Sequence, residues 1–306
     1  MRALVSGATG FIGSHLTEHL AAQDWDVVPV TSGGALAARA GRLAAALDSA
    51  VPAVVFHMAG LSRAEHPAAL YEADLVLTAH LLKAVSRQKR PPLVILAGSA
   101  AEYGNVAPDY VPVRETEPCR PVTDYGIAKY AQTLMAEARA AAGMPVVVAR
   151  MWNPVGPGMP RHLALASFAA QIAAMPSEGG TLRVGNLYAE RDFLDVREVA
   201  RLVAGLAIRP DAVGQVVNIC AGRAWPLRPL IDDMIRLTGK PVSIAVDPCR
   251  MRPEDPVVLY GHTGRLASLG LVPTLPNFDE ILPQLLRQKP DRARGLVPAR
   301  TFDQLT

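Results

Sequence analysis

Apolar residues in the first half of the chain alternate between short dense runs and longer stretches of helical spacing. Ala3-Leu4-Val5 reads as a short buried strand, and glycines follow it at once. From Phe11 to Ala22 the apolar positions Phe11, Ile12, Leu16 and Leu20 recur at helical spacing. Asp26 to Val30 reads as a second strand, Ala35 to Leu47 as an Ala/Leu-rich helix, and Pro52 to Phe56 as a buried strand. A long helix over Ala68 to Val85, a strand over Leu93 to Ala97, a helix over Tyr125 to Ala142 and a strand over Val146 to Ala149 follow. Gly143 is placed to close the last of these helices. Strands apolar on both faces, separated by helices, predict an α/β fold with a doubly wound parallel sheet.

Beyond Asn153 the texture changes. Pro and Gly cluster at 154–160, and isolated strands and helices follow. This predicts a first domain over 1–160, with about 190–220 returning to it through a last sheet strand at Val216 to Ile219. A smaller C-terminal domain takes 161–189 and 221–290, and 291–306 forms a tail. The stretch from Gln288 to Thr306 lacks periodicity, which predicts a loosely held end.

The 306 residues are enough for one large or two modest domains. Lys and Arg number 31 against 28 Asp and Glu, a net charge of +3 with no long basic run. That balance excludes the basic patch of a nucleic-acid binder. With 50% hydrophobic and 19% charged residues the chain is not disordered. Cys119, Cys220 and Cys249 are odd in number and never form C-x-x-C, which fits a reducing compartment. No apolar run reaches the roughly 18 residues that span a bilayer, and Ser6-Gly7 cuts short any signal-peptide core. The expected location is the cytoplasm, with no membrane partner.

Gly7-Ala8-Thr9-Gly10-Phe11-Ile12-Gly13 lies between the first strand and the first helix, spaced G-x-x-G-x-x-G. Gly7 permits the tight turn, Gly10 lets the backbone approach a pyrophosphate, and Gly13 lets helix and strand pack closely. The helix N-terminus then offers Phe11 and Ile12 N–H groups to phosphates. The second strand ends in Val30-Thr31-Ser32, where an acid selecting NAD would stand. None is present, and Arg39 and Arg42 follow, which favours the 2′-phosphate of NADP, with NAD the other choice.

Tyr125 and Lys129 share one helix face at i and i+4. An adjacent cation is expected to lower the phenol pKa, so that Tyr125 exchanges a proton near neutral pH. Lys129 is also placed to hold ribose hydroxyls. Ser99 ends a strand of the parallel sheet, where ligands bind, and its hydroxyl can bond a substrate carbonyl.

GATGFIG, His57-Met58-Ala59-Gly60, Ser99 and YGIAK together resemble the extended short-chain dehydrogenase/reductases that act on nucleotide sugars. The resemblance runs from residue 1 to about 285. It implies a Rossmann domain with a small C-terminal substrate domain, and a cofactor lined by His57, Ala59, Gly60 and Trp152 as well as the glycine turn. Here Gly60 replaces the family's Ala, and Asp74 stands where an Asn is usual. The short strand with an adenine-contacting Asp, between the second strand and Pro52, is absent or degraded. Arg150 to Gly158 resembles R-x-x-N-x-x-G-P-G, and Arg191 to Val196 resembles R-D-F-x-D-V. The segments Val217 to Arg223 and Val246 to Asp255 most resemble the GDP-4-keto-6-deoxy-D-mannose reductases. By that resemblance Asn153, Arg191, Arg252 and Glu254 contact the nucleotide-diphosphate sugar. For Arg191 and Arg252 a charge-assisted bond to the diphosphate makes physical sense.

Related dehydratases carry Asp-Glu directly after the residue matching Ser99. Here Ala100 and Ala101 cannot transfer protons, and Glu102 one position later points either into the cleft or to solvent. Ketone reduction by NAD(P)H fits this pattern, with an epimerase holding its cofactor as the alternative. A dinucleotide sensor without turnover is the alternative from another class. His15 and His19 share a helix face but lack further ligands, so no metal is expected. Ala131, Leu134, Met135 and Ala138 form an apolar stripe, which with the helix over Ala68 to Val85 suggests a homodimer.

Overall fold

The apolar runs of the first half, joined by one from the second, assemble into one parallel sheet. The computed structural model describes residues 1–31, 33–251 and 256–288. Its first elements are β1 (Arg2–Ser6), α1 (Phe11–Ala22), β2 (Asp26–Val30), α2 (Leu36–Ala50) and β3 (Val54–His57). Next come α3 (Pro67–Leu70) and α4 (Leu77–Val85), then β4 (Leu93–Ser99), α5 (Asp124–Ala141) and β5 (Val146–Met151). Sheet order is β10-β5-β4-β3-β1-β2, with β10 (Val216–Ile219) supplied from far along the chain, and every pairing is parallel. All positions of β3, β5 and β10 are buried, which is why their sequences are apolar except for one buried polar residue each, His57, Arg150 and Asn218.

Helices cover both faces. Leu16 and Leu20 of α1 pack with Val199, Leu202 and Val203 of α7 (Val196–Leu206) on one face. Leu43 and Leu47 of α2, Leu81 and Leu82 of α4 and Ala136 of α5 cover the other. The chain leaves β1 first towards β2 and then towards β3 on its other side. The crevice at the carboxyl ends of β1 and β3 is therefore the switch point at which open α/β sheets bind ligands.

The long helix expected over Ala68 to Val85 is not uniform. Between α3 and α4 the residues Tyr71–Val76 form a wide π-helical turn, a feature often met at functional sites. Among the described residues no strand lies between β2 and β3, so β2 is one edge of the sheet, with β10 at the other.

The second half builds its own core. Elements here are β6 (Asn153–Val155), α6 (Ala164–Ala174), β7 (Gly180–Val184), β8 (Glu190–Arg191) and β9 (Phe193–Asp195). After β10 come β11 (Trp225–Pro226), α8 (Leu227–Thr238), β12 (Val242–Val246), β13 (Val258–Leu259), α9 (Gly264–Ser268) and α10 (Phe278–Leu286). Leu165, Phe168 and Ile172 of α6 meet Leu230, Ile231 and Met234 of α8 and Ile281, Leu282 and Leu285 of α10. Leu266, Leu269 and Leu271 pack into the core around the first sheet, whereas the sequence pattern places them in the smaller domain of 161–189 and 221–290. The expected tail 291–306 lies outside the described residues.

Candidate active site

Backbone meets backbone at the glycine turn. Gly7 has a φ of +71°, and a Cβ there would lie 2.7 Å from the Ala59 nitrogen. A Cβ on Gly13 would lie 2.1 Å from the Gly7 oxygen, so α1 sits against the turn as closely as the chain allows. Gly10 is the residue before α1, and no side chain caps that helix or places an acid in its first turn. Its first N–H groups therefore face the crevice with the positive end of the helix behind them. Phe11 and Ile12 are half-buried, Phe11 against the second core and Ile12 against the first. His15 bonds the Pro157 carbonyl at 2.9 Å, and no metal-holding cluster exists among the described residues.

Beyond β2, Arg39 is half-buried on α2, and its Nε has no partner. Burial lowers its pKa, which Asp74 partly offsets. Arg42 is exposed and donates to the Gly33 carbonyl, closing the loop before α2.

At the end of β3, His57 is wholly buried, with Nδ1 2.6 Å from Ser6 Oγ. Burial, then the charges of Lys129 and Arg39, depress its pKa to about 3, so it is neutral. Ala59 donates its N–H to the same Ser6 hydroxyl at 3.4 Å. Gly60 then turns out into the crevice, over the side chains of Asp74 and Lys129.

Ser99, Tyr125 and Lys129 come together as their pattern predicts. Thr123 caps α5 by accepting the Gly126 N–H at 3.1 Å. A Cβ on Gly126 would lie 2.5 Å from the Ala101 carbonyl, so only glycine lets α5 start against the turn that carries Ser99. The Ser99 side chain accepts the Ala101 N–H at 3.2 Å and acts on the Tyr125 phenol to favour its ionised form. Lys129 is buried and donates to Ala97 O at 2.9 Å and Gln132 Oε1 at 3.2 Å, and it pairs with Asp74 Oδ1 at 2.9 Å. Two protein oxygens thus accept hydrogen bonds from the ammonium, and the contact with Asp74 is an ion pair. Burial works against the charge on Lys129, but Asp74 and Tyr125 more than offset it and raise its pKa. The Tyr125 phenol is shifted upward, not downward as expected. Its burial outweighs Lys129 and Ser99, and Asp74 adds to the rise.

The expectation for Glu102 is corrected. It points neither into the cleft nor to solvent: its carboxylate is fully buried. Oε1 accepts the Ser99 N–H at 2.7 Å, while Oε2 accepts from Thr133 Oγ1 at 2.9 Å and from Arg150 Nη2 at 2.8 Å. Room for it comes from Gly98, where a Cβ would lie 2.8 Å from Oε1. Glu102 thus holds the Ser99 turn from behind and is not a substrate contact.

Trp152 is corrected as well. Its indole is 6% exposed and packs with Tyr103, Val113 and Cys220, so it does not line the cofactor crevice. Asn153 donates to the Asp192 carbonyl at 2.7 Å, pinning β6 beside β9. Arg191 Nη1 donates to the Glu190 carbonyl at 2.8 Å at the β8 strand pairing. Asp192 was not singled out by the sequence, yet its carboxylate accepts N–H groups from Ala221, Gly222 and Gly261 and knots three segments together. The only sequence signal was its place inside R-D-F. Arg252 and Glu254 lie outside the described residues.

Close-approach glycines, an uncapped helix and a neutral histidine fit a dinucleotide along the crevice between β1 and β3. Ser99 and Tyr125 stand at the adjoining end of β4, where a carbonyl can receive a proton. The comparisons agree with this geometry. The profile of the NAD dependent epimerase/dehydratase family matches residues 3–220. A GDP-6-deoxy-D-mannose reductase of Pseudomonas aeruginosa is 31% identical over 274 residues, covering 87% of this chain and 89% of that protein. A dTDP-6-deoxy-L-talose 4-dehydrogenase (NAD(P)(+)) of Kitasatospora kifunensis is 33% identical over 263 residues, 81% of this chain and 82% of its own. The solved structure of RMD from Pseudomonas aeruginosa complexed with NADPH superimposes with a TM-score of 0.82 at 28% identity, covering 93% of this chain and 96% of that one. From residue 3 to residue 220 the crevice, its glycine turn and its Ser-Tyr-Lys group lie within one matched span, and the chain belongs to the NAD dependent epimerase/dehydratase family.

Proposed function

We propose that the protein reduces a 4-keto-6-deoxy sugar carried on a nucleoside diphosphate, preferably GDP, with NADPH as reductant. One observation carries this reading. The Ser99 turn presents Tyr125 as a proton donor, whereas the next two positions are alanines and Glu102 is locked behind them. A carbonyl can be protonated there, and the carboxyl groups that would drive dehydration are missing. When bound, the nicotinamide supplies the hydride. Ser99 orients the sugar carbonyl, and Tyr125 Oη passes its proton to the carbonyl oxygen.

The base and sugar follow the resemblance of residues 246–255 and the named reductase and dehydrogenase relatives. NADP over NAD rests on Arg39, half-buried with an unpartnered Nε beyond a strand that ends without an acid. We further infer a homodimer through the outer face of α5, where Ile127 and Leu134 are exposed. Met135 of the expected stripe packs instead against its own sheet. Free Cys119, Cys220 and Cys249 support a cytoplasmic setting.

The test is incubation with a GDP-4-keto-6-deoxy sugar and NADPH, following cofactor absorbance and product mass. A gain of two hydrogens with matching NADPH loss is expected. An isomer of unchanged mass without net cofactor use would identify an epimerase, and no turnover on any nucleotide sugar would favour a sensor.

A further inference from the structure

Two departures from the family pattern, Gly60 for Ala and Asp74 for Asn, meet at one point in space. An ideal Cβ on Gly60 would lie 2.3 Å from Asp74 Oδ1 and 3.2 Å from Lys129 Nζ. The carboxylate therefore occupies space that an alanine would take. Asp74 lies in the wide π turn, is fully buried, and meets Lys129 at 2.9 Å. Neither carboxylate oxygen has a hydrogen-bond partner, and the ion-pair contact with Lys129 is the charge that balances them.

We propose that Asp74, seated in the gap left by Gly60, is a positioning residue that neutralises Lys129 and so keeps Tyr125 protonated, biasing the site towards giving a proton to a ketone. The proposal rests on the ketone-reductase reading and deepens it.

An unpaired ammonium four residues along the helix would favour the phenolate and make Tyr125 a base. A carboxylate on that ammonium cancels much of its field at the phenol. The other groups facing this centre do not replace it. Glu102, behind Ser99, is paired with Arg150. His57 is neutral. Arg39, across the crevice, is a further cation that Asp74 also faces. Asp74 is thus the negative charge that sets the balance between Lys129 and Tyr125.

The test compares wild type with Asp74→Asn, which keeps the shape and removes the charge. The Tyr125 phenol is titrated by tyrosinate absorbance in the NADPH-free protein, with Tyr125→Phe as the blank. Its pKa is expected to fall by about one unit in Asp74→Asn, and the alkaline limb of kcat/KM for ketone reduction to fall with it. Gly60→Ala, which displaces the carboxylate, is expected to shift the titration the same way and to add little in the Asp74→Asn background. A titration that does not move in Asp74→Asn or in Gly60→Ala overturns the proposal. Because the titration needs no substrate, it is read even if the ketone-reductase reading fails. If Asp74→Asn does not fold, Gly60→Ala alone carries the comparison.

Discussion

Arg150 Nη2 lies 2.8 Å from Glu102 Oε2, in an ion pair whose side chains are 3% and 0% exposed. The guanidinium also stacks over the Tyr103 ring, 4.5 Å from its centroid. This pair stands directly behind the turn that presents Ser99. Losing either partner strands a buried charge. Glu102→Ala and Arg150→Ala should each cost about 3–5 kcal/mol in urea denaturation. The double replacement Glu102→Leu/Arg150→Met should cost clearly less than the sum of the single variants. Additive losses would mean the two do not act as a pair.

Tyr125→Phe keeps the ring and removes the proton. Turnover should fall roughly 10²–10⁴-fold with cofactor dissociation constants nearly unchanged. Lys129→Ala should lower turnover, cofactor affinity and melting temperature together, because Asp74 is left buried without its cation. Unaltered turnover in Tyr125→Phe would remove it from the catalytic role.

Arg39→Ala should weaken NADPH binding roughly 10–100-fold, the loss of a charged hydrogen bond worth about 1.5–3 kcal/mol. NADH binding should be nearly unaffected, because it has no 2′-phosphate to lose. Nicotinamide fluorescence titration reads both, and equal effects on the two cofactors would move Arg39 away from the 2′ position.

His57 makes acid stability predictable. Its pKa is about 3 when folded against 6.5 as the ordinary value. Between those values the unfolded chain binds the extra proton, so stability is full above pH 6.5 and declines as pH falls towards about 3. Relative to His57→Gln, the wild type should lose about 2 kcal/mol between pH 6.5 and about 5. Urea denaturation at the two pH values checks this, and parallel losses in both proteins would contradict it.

Leu134 is 48% exposed on the outer face of α5. If that face joins two copies, sedimentation of the wild type gives twice the chain mass, and Leu134→Asp gives a single chain. A wild type that sediments as one chain at micromolar concentration would dismiss the dimer.

Elements whose signals are local were readable in advance. The helix from Phe11 to Ala22 and the strands at Asp26 to Val30 and Val216 to Ile219 carry their periodicity within a few residues, and their observed bounds coincide with the expected ones. The same holds for Gly13, whose close approach is to the Gly7 oxygen within the same turn, whereas Gly7 itself meets Ala59 far along the chain. Glu102 was misread because its environment is set by Arg150, forty-eight positions away, and by the missing Cβ of Gly98. Trp152 was misread because the surface that buries it comes from Tyr103, Cys220 and Gly261. The π turn at Tyr71–Val76 leaves the apolar pattern helical on either side, so a sequence pattern does not expose it.

The placement of β10 has a consequence for biosynthesis. Val216 to Ile219 completes the sheet beside β5, and α7 supplies the partner surface for α1. Both follow α6 and β7, which belong to the other core. As the chain leaves the ribosome, β5 must wait with a bare edge until residue 219 has emerged. A fragment ending near residue 160 would expose that edge and half of the α1 face, and it should aggregate instead of folding as an independent nucleotide-binding unit.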